Sequence, residues 1–306
     1  MPRQNAHLIG FLLAALLAFA AMSGRGRAES AEPRRGLQER VLRMSEYFDT
    51  TLPGVLEEHN LTLHFTPKYS DFRDNEYIRY PFELRYGASE RVELSAGLTP
   101  FSPNPFNSGY DHRWGPGEGK LGVRYDLDGM MPFFDDTTIG LQTRVPLGRP
   151  PIELNDHYTH VKPFVSTARR LRSWTDATFY TNLSYDRSVK LTPRDPAPLG
   201  VVRRNLIELA PGLLYKPGEV GYFGEYHWRH ISEVAEWHCA HEVQLGTIWD
   251  IPRWRSEKWN LPGKWQLELA YKFSNEEGRG RSQGVSARVN WRTSLREVLT
   301  HNSAKK

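Results

Sequence analysis

The sequence predicts an all-β fold: an antiparallel up-and-down transmembrane β-barrel of about twelve strands, with a short N-terminal helical segment. Three observations lead there. From Leu61 onward, apolar and polar residues alternate with a period of two. The polar phase carries full charges rather than hydroxyls alone. The ends of the alternating segments are rich in Tyr and Trp, the residues that favour a membrane–water interface.

The chain opens with Arg3 and an unbroken run of apolar or small residues from Leu8 to Met22. That run is too short for a comfortable membrane helix and fits the apolar core of a secretory signal peptide, expected over residues 1–28. Cleavage sites suggest themselves after Ser23 and after Ala28, and no Cys follows to make a lipoprotein signal. Mean hydropathy over the whole chain is −0.59, and beyond that run no stretch approaches a membrane helix, so any further crossing has to use strands. Cys239 is the single cysteine, which excludes an intramolecular disulfide and a cysteine-based zinc site. The net charge of +4 is too mild to call for nucleic acid as a partner.

Residues 29–60 read as a periplasmic helical or linker segment. Leu37, Val41, Met44, Phe48 and Leu52 recur at roughly helical spacing, and Pro53-Gly54 ends the pattern. A helix resting at the barrel rim is the expectation, with a short plug in the barrel mouth as the other possibility. The barrel is expected over residues 61–292.

Its strands follow in order. Leu61, Leu63 and Phe65 alternate with Thr62, His64 and Thr66. Ile78, Tyr80, Phe82, Leu84 and Tyr86 alternate with Arg79, Glu83 and Arg85. Val92, Leu94, Ala96 and Leu98 alternate with Arg91, Glu93, Ser95 and Gly97. Leu121–Tyr125 and Ile139–Val145 continue the pattern. Seven more segments run at 161–168, 178–185, 206–215, 221–229, 242–249, 265–273 and 285–291. Tight connections (Gly87–Glu90, Lys216–Glu219) alternate with long ones (Pro100–Gly119, Leu147–Thr159, Arg187–Arg204), as short periplasmic turns and long outer loops require. The connection Ile251–Lys264 is too long for its side. Residues 293–306 form a polar tail.

Particular segments resemble the outer-membrane transporters grouped as the MetA-pathway of phenol degradation family. Glu83–Leu94 is similar to their strand–tight turn–strand unit. Gly117–Tyr125 resembles their Gly-acidic lead into the next strand, Gly140–Gly148 their strand ending in Pro-x-Gly, and Asn182–Tyr185 their Asn-Leu-x-Tyr strand. The resemblance covers about Tyr77 to Asp186 and implies passage of a small hydrophobic solute across the outer membrane of a Gram-negative cell. It also implies outer-membrane lipid, the barrel-assembly machinery and the solute as partners, with no cofactor. One departure stands out: the last aromatic residue is Trp291, whereas such barrels usually end on an aromatic assembly signal.

Charged residues on the polar phase are the candidate lumen lining: Arg79, Glu83, Arg85, Arg91, Glu93, Lys120, Arg124, Arg144, Lys162, Glu225, Glu268, Lys272 and Arg288. Rings of charge set pore selectivity; structural salt bridges between neighbouring strands are the plainer use of the same residues. Two rival classes are a closed structural barrel and a lipid-modifying hydrolase. The hydrolase would use His230 and Ser232, which period two places on one face of a strand as base and nucleophile. His227, His230, His238 and His241 share a stretch of chain, but a metal needs converging ligands, and none is expected. Gly115–Lys120 fails the phosphate-loop pattern because Trp114 stands where its first Gly is required. The charge-dense run Asp71–Glu76 reads as a solvated loop.

Overall fold

The computed structural model describes residues 46–47, 50–65, 77–105, 114–127, 131, 133–148, 157–171, 173–174, 176–189, 205–232, 237–258, 263–277 and 280–294. The expected signal peptide, most of the helical segment, the 71–76 loop and the tail beyond Ser294 lie outside the described residues.

The described chain forms β1 (Glu46–Tyr47), β2 (Thr50–Thr51), β3 (Asn60–Phe65), β4 (Tyr77–Arg79), β5 (Phe82–Ser89), β6 (Val92–Pro103), β7 (Gly115–Asp126) and β8 (Asp136–Pro146). It continues with β9 (Thr159–Arg170), β10 (Ala177–Val189), β11 (Asn205–Tyr215), β12 (Val220–Ser232), β13 (Trp237–Asp250), α1 (Arg253–Lys258), β14 (Lys264–Glu276) and β15 (Gly280–Ser294). From β5 to β15 every strand pairs antiparallel with its chain neighbour, and β15 returns to β3, which pairs with β5. The sheet therefore closes. β4 and β5 both lie along β6 and act as one interrupted stave, so the barrel has twelve staves. Closure leaves no unpaired edge, which is the condition for a sheet to sit in hydrocarbon.

Period-two patterning sorts the side chains. Leu84, Leu94, Leu98, Leu121, Leu183, Leu209, Leu245 and Leu269 are all exposed on the outside. A soluble protein does not tolerate so continuous an apolar surface, and a bilayer requires it. Paired rings flank this belt: Trp265 and Trp291 at one end, with centroids 6.1 Å apart, and Trp228, His230 and Trp237 at the other. The opposite phase points inward and is polar: Glu83, Arg85, Glu93, Arg124, Gln142, Ser166, Asn182, Glu225, Gln244 and Arg288 are all buried.

Four details depart from the sequence reading. The stave expected as one strand from Ile78 to Tyr86 breaks at Pro81, which has no N–H to give the ladder, while the Tyr80 N–H donates to the Pro100 carbonyl at 2.9 Å. Ile78 is consequently buried rather than facing lipid. The described part of the expected helical segment (46–47 and 50–60) is extended, with β1 pairing β2; its apolar residues pack on the barrel interior instead of on one helix face. Loop lengths alternate less cleanly than expected. β12–β13 and β14–β15 have short connections on the side of the long loops, and α1 fills the long connection on the side of the tight turns. The two ends are called here the loop end and the turn end.

Candidate functional site

The lumen divides at about its mid-height. At the turn end it is filled, and the filler is the chain's own residues 50–56. The Thr50 hydroxyl donates to Glu225 Oε2 on β12 at 2.9 Å. The Thr51 carbonyl accepts from Ser166 Oγ on β9 at 2.6 Å and from Asn182 Nδ2 on β10 at 3.3 Å. The Leu52 carbonyl accepts from the Arg124 guanidinium on β7. The Gly54 N–H donates to Thr138 Oγ1 on β8 at 2.5 Å, and the Leu56 N–H to Glu93 Oε2 on β6 at 2.9 Å. An extended segment has no partners of its own for these backbone groups, so the lumen side chains supply them. It crosses from β12 to β6 and forms a plug.

Leu52, fully buried, anchors the plug in an apolar cluster with Ala168, Tyr180, Leu214, Phe223, Ile248 and Ala270. Glycines make room for the large rings of that wall. Phe164 lies over Gly140, Tyr180 over Gly212 and Phe223 over Gly246, each pair directly opposite across the ladder. A Cβ on any of the three glycines would meet its ring at 2.3–2.4 Å. Gly87 is small for a different reason: the plug backbone at Leu56–Glu57 passes it so closely that a Cβ would sit 2.1 Å from the Glu57 carbonyl oxygen.

Two ion networks surround the plug. Glu93 Oε1 lies 3.1 Å from Arg124 and 3.5 Å from Arg85, and Arg85 also contacts Glu83 at 3.0 Å. On the other wall, His227 is fully buried between Glu208 (3.1 Å) and Glu225 (3.0 Å), and Tyr180 donates to Glu225 at 2.6 Å. Charges this deep persist because each is paired; removing one partner strands the other.

Above the plug, toward the loop end, the lumen opens into a vestibule of about 640 Å³, with Thr51 among its lining residues. Its walls carry Lys120–Glu83 (2.7 Å), Arg144–Asp186 with His160 (2.9 Å from Asp186), Lys162–Glu208 (3.2 Å), Arg229–Glu208 (2.7 Å) and Lys272–Glu242 (3.5 Å).

Of the residues singled out from sequence, Arg79, Glu83, Lys120, Arg144, Lys162, Lys272 and Arg288 line the vestibule. Glu93, Arg124 and Glu225 lie deeper and hold the plug, and Arg85 is buried beside Glu93. Glu268 is buried beside Arg288 at 3.9 Å. Arg91 is misplaced: it sits in the exposed β5–β6 turn, one residue before β6 begins, so alternation within the strand does not reach it. Asp186, Glu208, Arg229, Glu242 and His160 are not among the residues singled out from sequence, although each falls on the inward phase of its strand; His227, considered there only for a metal, joins them in the lumen.

His230 of the His-x-Ser pair does not face the lumen. The His230 ring stacks on Trp237 at 4.6 Å and on Trp228 at 5.9 Å, on the outer face, with Nδ1 3.5 Å from Cys239 Sγ. Nor do the four histidines converge. His227 is in the lumen, His241 accompanies Tyr226 outside, and His238 contacts Glu276 at 2.9 Å. Among the described residues no group of three potential ligands is gathered for a metal.

No family model matches the chain, and no curated relative matches its sequence. The likeness is to solved structures. The COG4313 outer membrane channel from Pseudomonas putida F1 superposes with a TM-score of 0.52 at 10% identity, covering 79% of this chain and 97% of that one. The NanC porin (TM-score 0.43, 11% identity, 76% and 98% covered) and the CymD monoaromatic hydrocarbon channel (0.41, 10%, 78% and 89%) are more distant. At these identities the likeness establishes the barrel fold and nothing about the solute.

Proposed function

We propose that this protein is an outer-membrane channel for a small solute, with residues 50–56 acting as its gate. The observation that carries the reading is the polar vestibule of about 640 Å³ inside a closed barrel with an apolar outer belt. A barrel that served only as scaffold would have its lumen packed throughout, since twelve strands enclose little more than side chains can fill. The loop end faces the exterior and the turn end the periplasm, by the usual asymmetry of such barrels. Lipid and the barrel-assembly machinery are its partners in that setting. In the structure the plug closes the turn end, so passage requires residues 50–56 to shift.

The plug itself favours a second reading, a permanently closed structural barrel. Single-channel recording on refolded full-length protein in a planar bilayer separates the two. The channel reading expects discrete steps from the full chain and a higher open probability for Leu52→Asp, which places a carboxylate in the apolar anchor. Silence from both proteins, each shown to be folded, rejects it.

A further inference from the structure

We propose that the vestibule takes a small anionic solute, one bearing a carboxylate, phosphate or sulfonate, rather than the neutral hydrophobic solute implied by the family resemblance. This rests on the channel reading for its physiological meaning, but the binding chemistry stands on the vestibule alone.

Three observations carry it. The first is the sign of the lining: seven Lys or Arg side chains against five carboxylates, with His64 and His160 besides. The second is layering. The carboxylates of Glu83, Asp186, Glu208 and Glu242 are 6–11% exposed, whereas Lys120, Arg144, Lys162, Arg229 and Lys272, which pair with them, are 17–36% exposed. The acids form an under-layer against the barrel wall and the cations cover them. A solute in the vestibule therefore meets these five cations ahead of the four acids they cover, while Glu118, the fifth carboxylate of the lining, is half-buried. An ammonium carries three N–H donors and a guanidinium five, the groups that suit an oxyanion.

The third is register. Lys120 on β7 and Arg144 on β8 are direct cross-strand partners on the inward face. Like charges opposite one another destabilise a sheet. Here the two are drawn apart, Lys120 toward Glu83 two strands one way and Arg144 toward Asp186 two strands the other. The cost of keeping two cations side by side is offset when an anion sits between them. Low-dielectric walls around a lining with an excess of one sign also concentrate counter-ions, which is how a charged pore selects.

The test uses three probes of one shape and three charges: benzoate, benzyl alcohol and benzylammonium. Binding to full-length protein, folded in detergent at low ionic strength, is measured by calorimetry. Benzoate is expected to bind at least about tenfold more tightly than benzylammonium and to weaken as salt is raised. Lys120→Gln and Lys272→Gln, on different walls, should each weaken benzoate about threefold and leave benzyl alcohol unchanged. Equal affinity for the three probes, a preference for the ammonium, or no binding of any overturns the proposal. Reversal potential in a salt gradient keeps the two readings apart. Benzoate binding without conductance retains the anion site and rejects the channel. A cation-selective conductance without benzoate preference does the reverse.

Discussion

The two halves of one lumen, built from the same twelve staves, use charge in opposite ways. At the turn end Arg85, Arg124 and Glu93 are sealed from water; Glu93 and Arg124 bond the plug backbone, and Arg85 pairs with Glu93. At the loop end Lys120, Lys162, Arg229 and Lys272 keep water contact and cover their acids. The sequence pattern is the same in both halves, polar residues that include ionisable ones on the inward phase of each strand. What differs is whether a segment from elsewhere in the chain fills the space in front of it. Burial turns a tuning charge into a structural one, because a desolvated ion that loses its partner costs far more than a hydrated one.

That contrast can be broken most severely at the buried end. Glu93→Gln removes the carboxylate shared by Arg85 and Arg124 and weakens the acceptor for Leu56, so the barrel should lose about 3–5 kcal/mol. Urea unfolding followed by gel mobility of the heat-modifiable barrel reads this directly. The matched change in the vestibule, Lys162→Gln, should cost under about 1 kcal/mol, since Glu208 keeps Arg229 and His227 as partners and Lys162 is the more exposed member of its pair. Equal costs would erase the distinction between the two halves.

Next in size are the glycine positions of the filled half. Gly212→Val drives a side chain into the Tyr180 ring and should destabilise by about 1–3 kcal/mol, with the strands intact by circular dichroism. Gly87→Ala should act on the plug more than on the barrel. Its Cβ displaces the backbone at Leu56–Glu57, so limited proteolysis within residues 50–57 should speed up while barrel stability changes little. Unchanged proteolysis would show that the plug accommodates the methyl without leaving its path.

The smallest effect is expected at Ser232→Ala. With His230 held between Trp228 and Trp237, any lipid deacylase activity measured for the protein should be the same before and after the substitution. A loss of activity would restore the hydrolase reading.

Much of the fold was legible before any coordinates. All twelve staves were named from alternation alone, and the inward phase picked out Glu83, Arg85, Glu93, Lys120, Arg124, Arg144 and Lys272 because a pleated strand leaves each residue only two faces. The same rule over-reaches at Arg91, where the turn has already begun, and it holds equally for Asp186, Glu208 and Glu242 on the inward phase of their strands. Alternation likewise runs from Ile78 to Tyr86 through Pro81, although the missing N–H breaks that strand.

The sequence by itself determined the barrel, its lipid belt and the polarity of its lumen, since these follow from period-two patterning and the chemistry of each residue on its face. The plug was decided only by tertiary structure. Leu52 belongs to a helical-looking spacing in one dimension, and its real neighbours, Ala168, Tyr180, Leu214, Phe223, Ile248 and Ala270, lie between 116 and 218 positions away. No local periodicity encodes a partner at that distance. The backbone of residues 50–56 enters the lumen because closed walls there present Glu93, Arg124, Thr138, Ser166, Asn182 and Glu225 to its donors and acceptors. Those walls exist only once the sheet has closed.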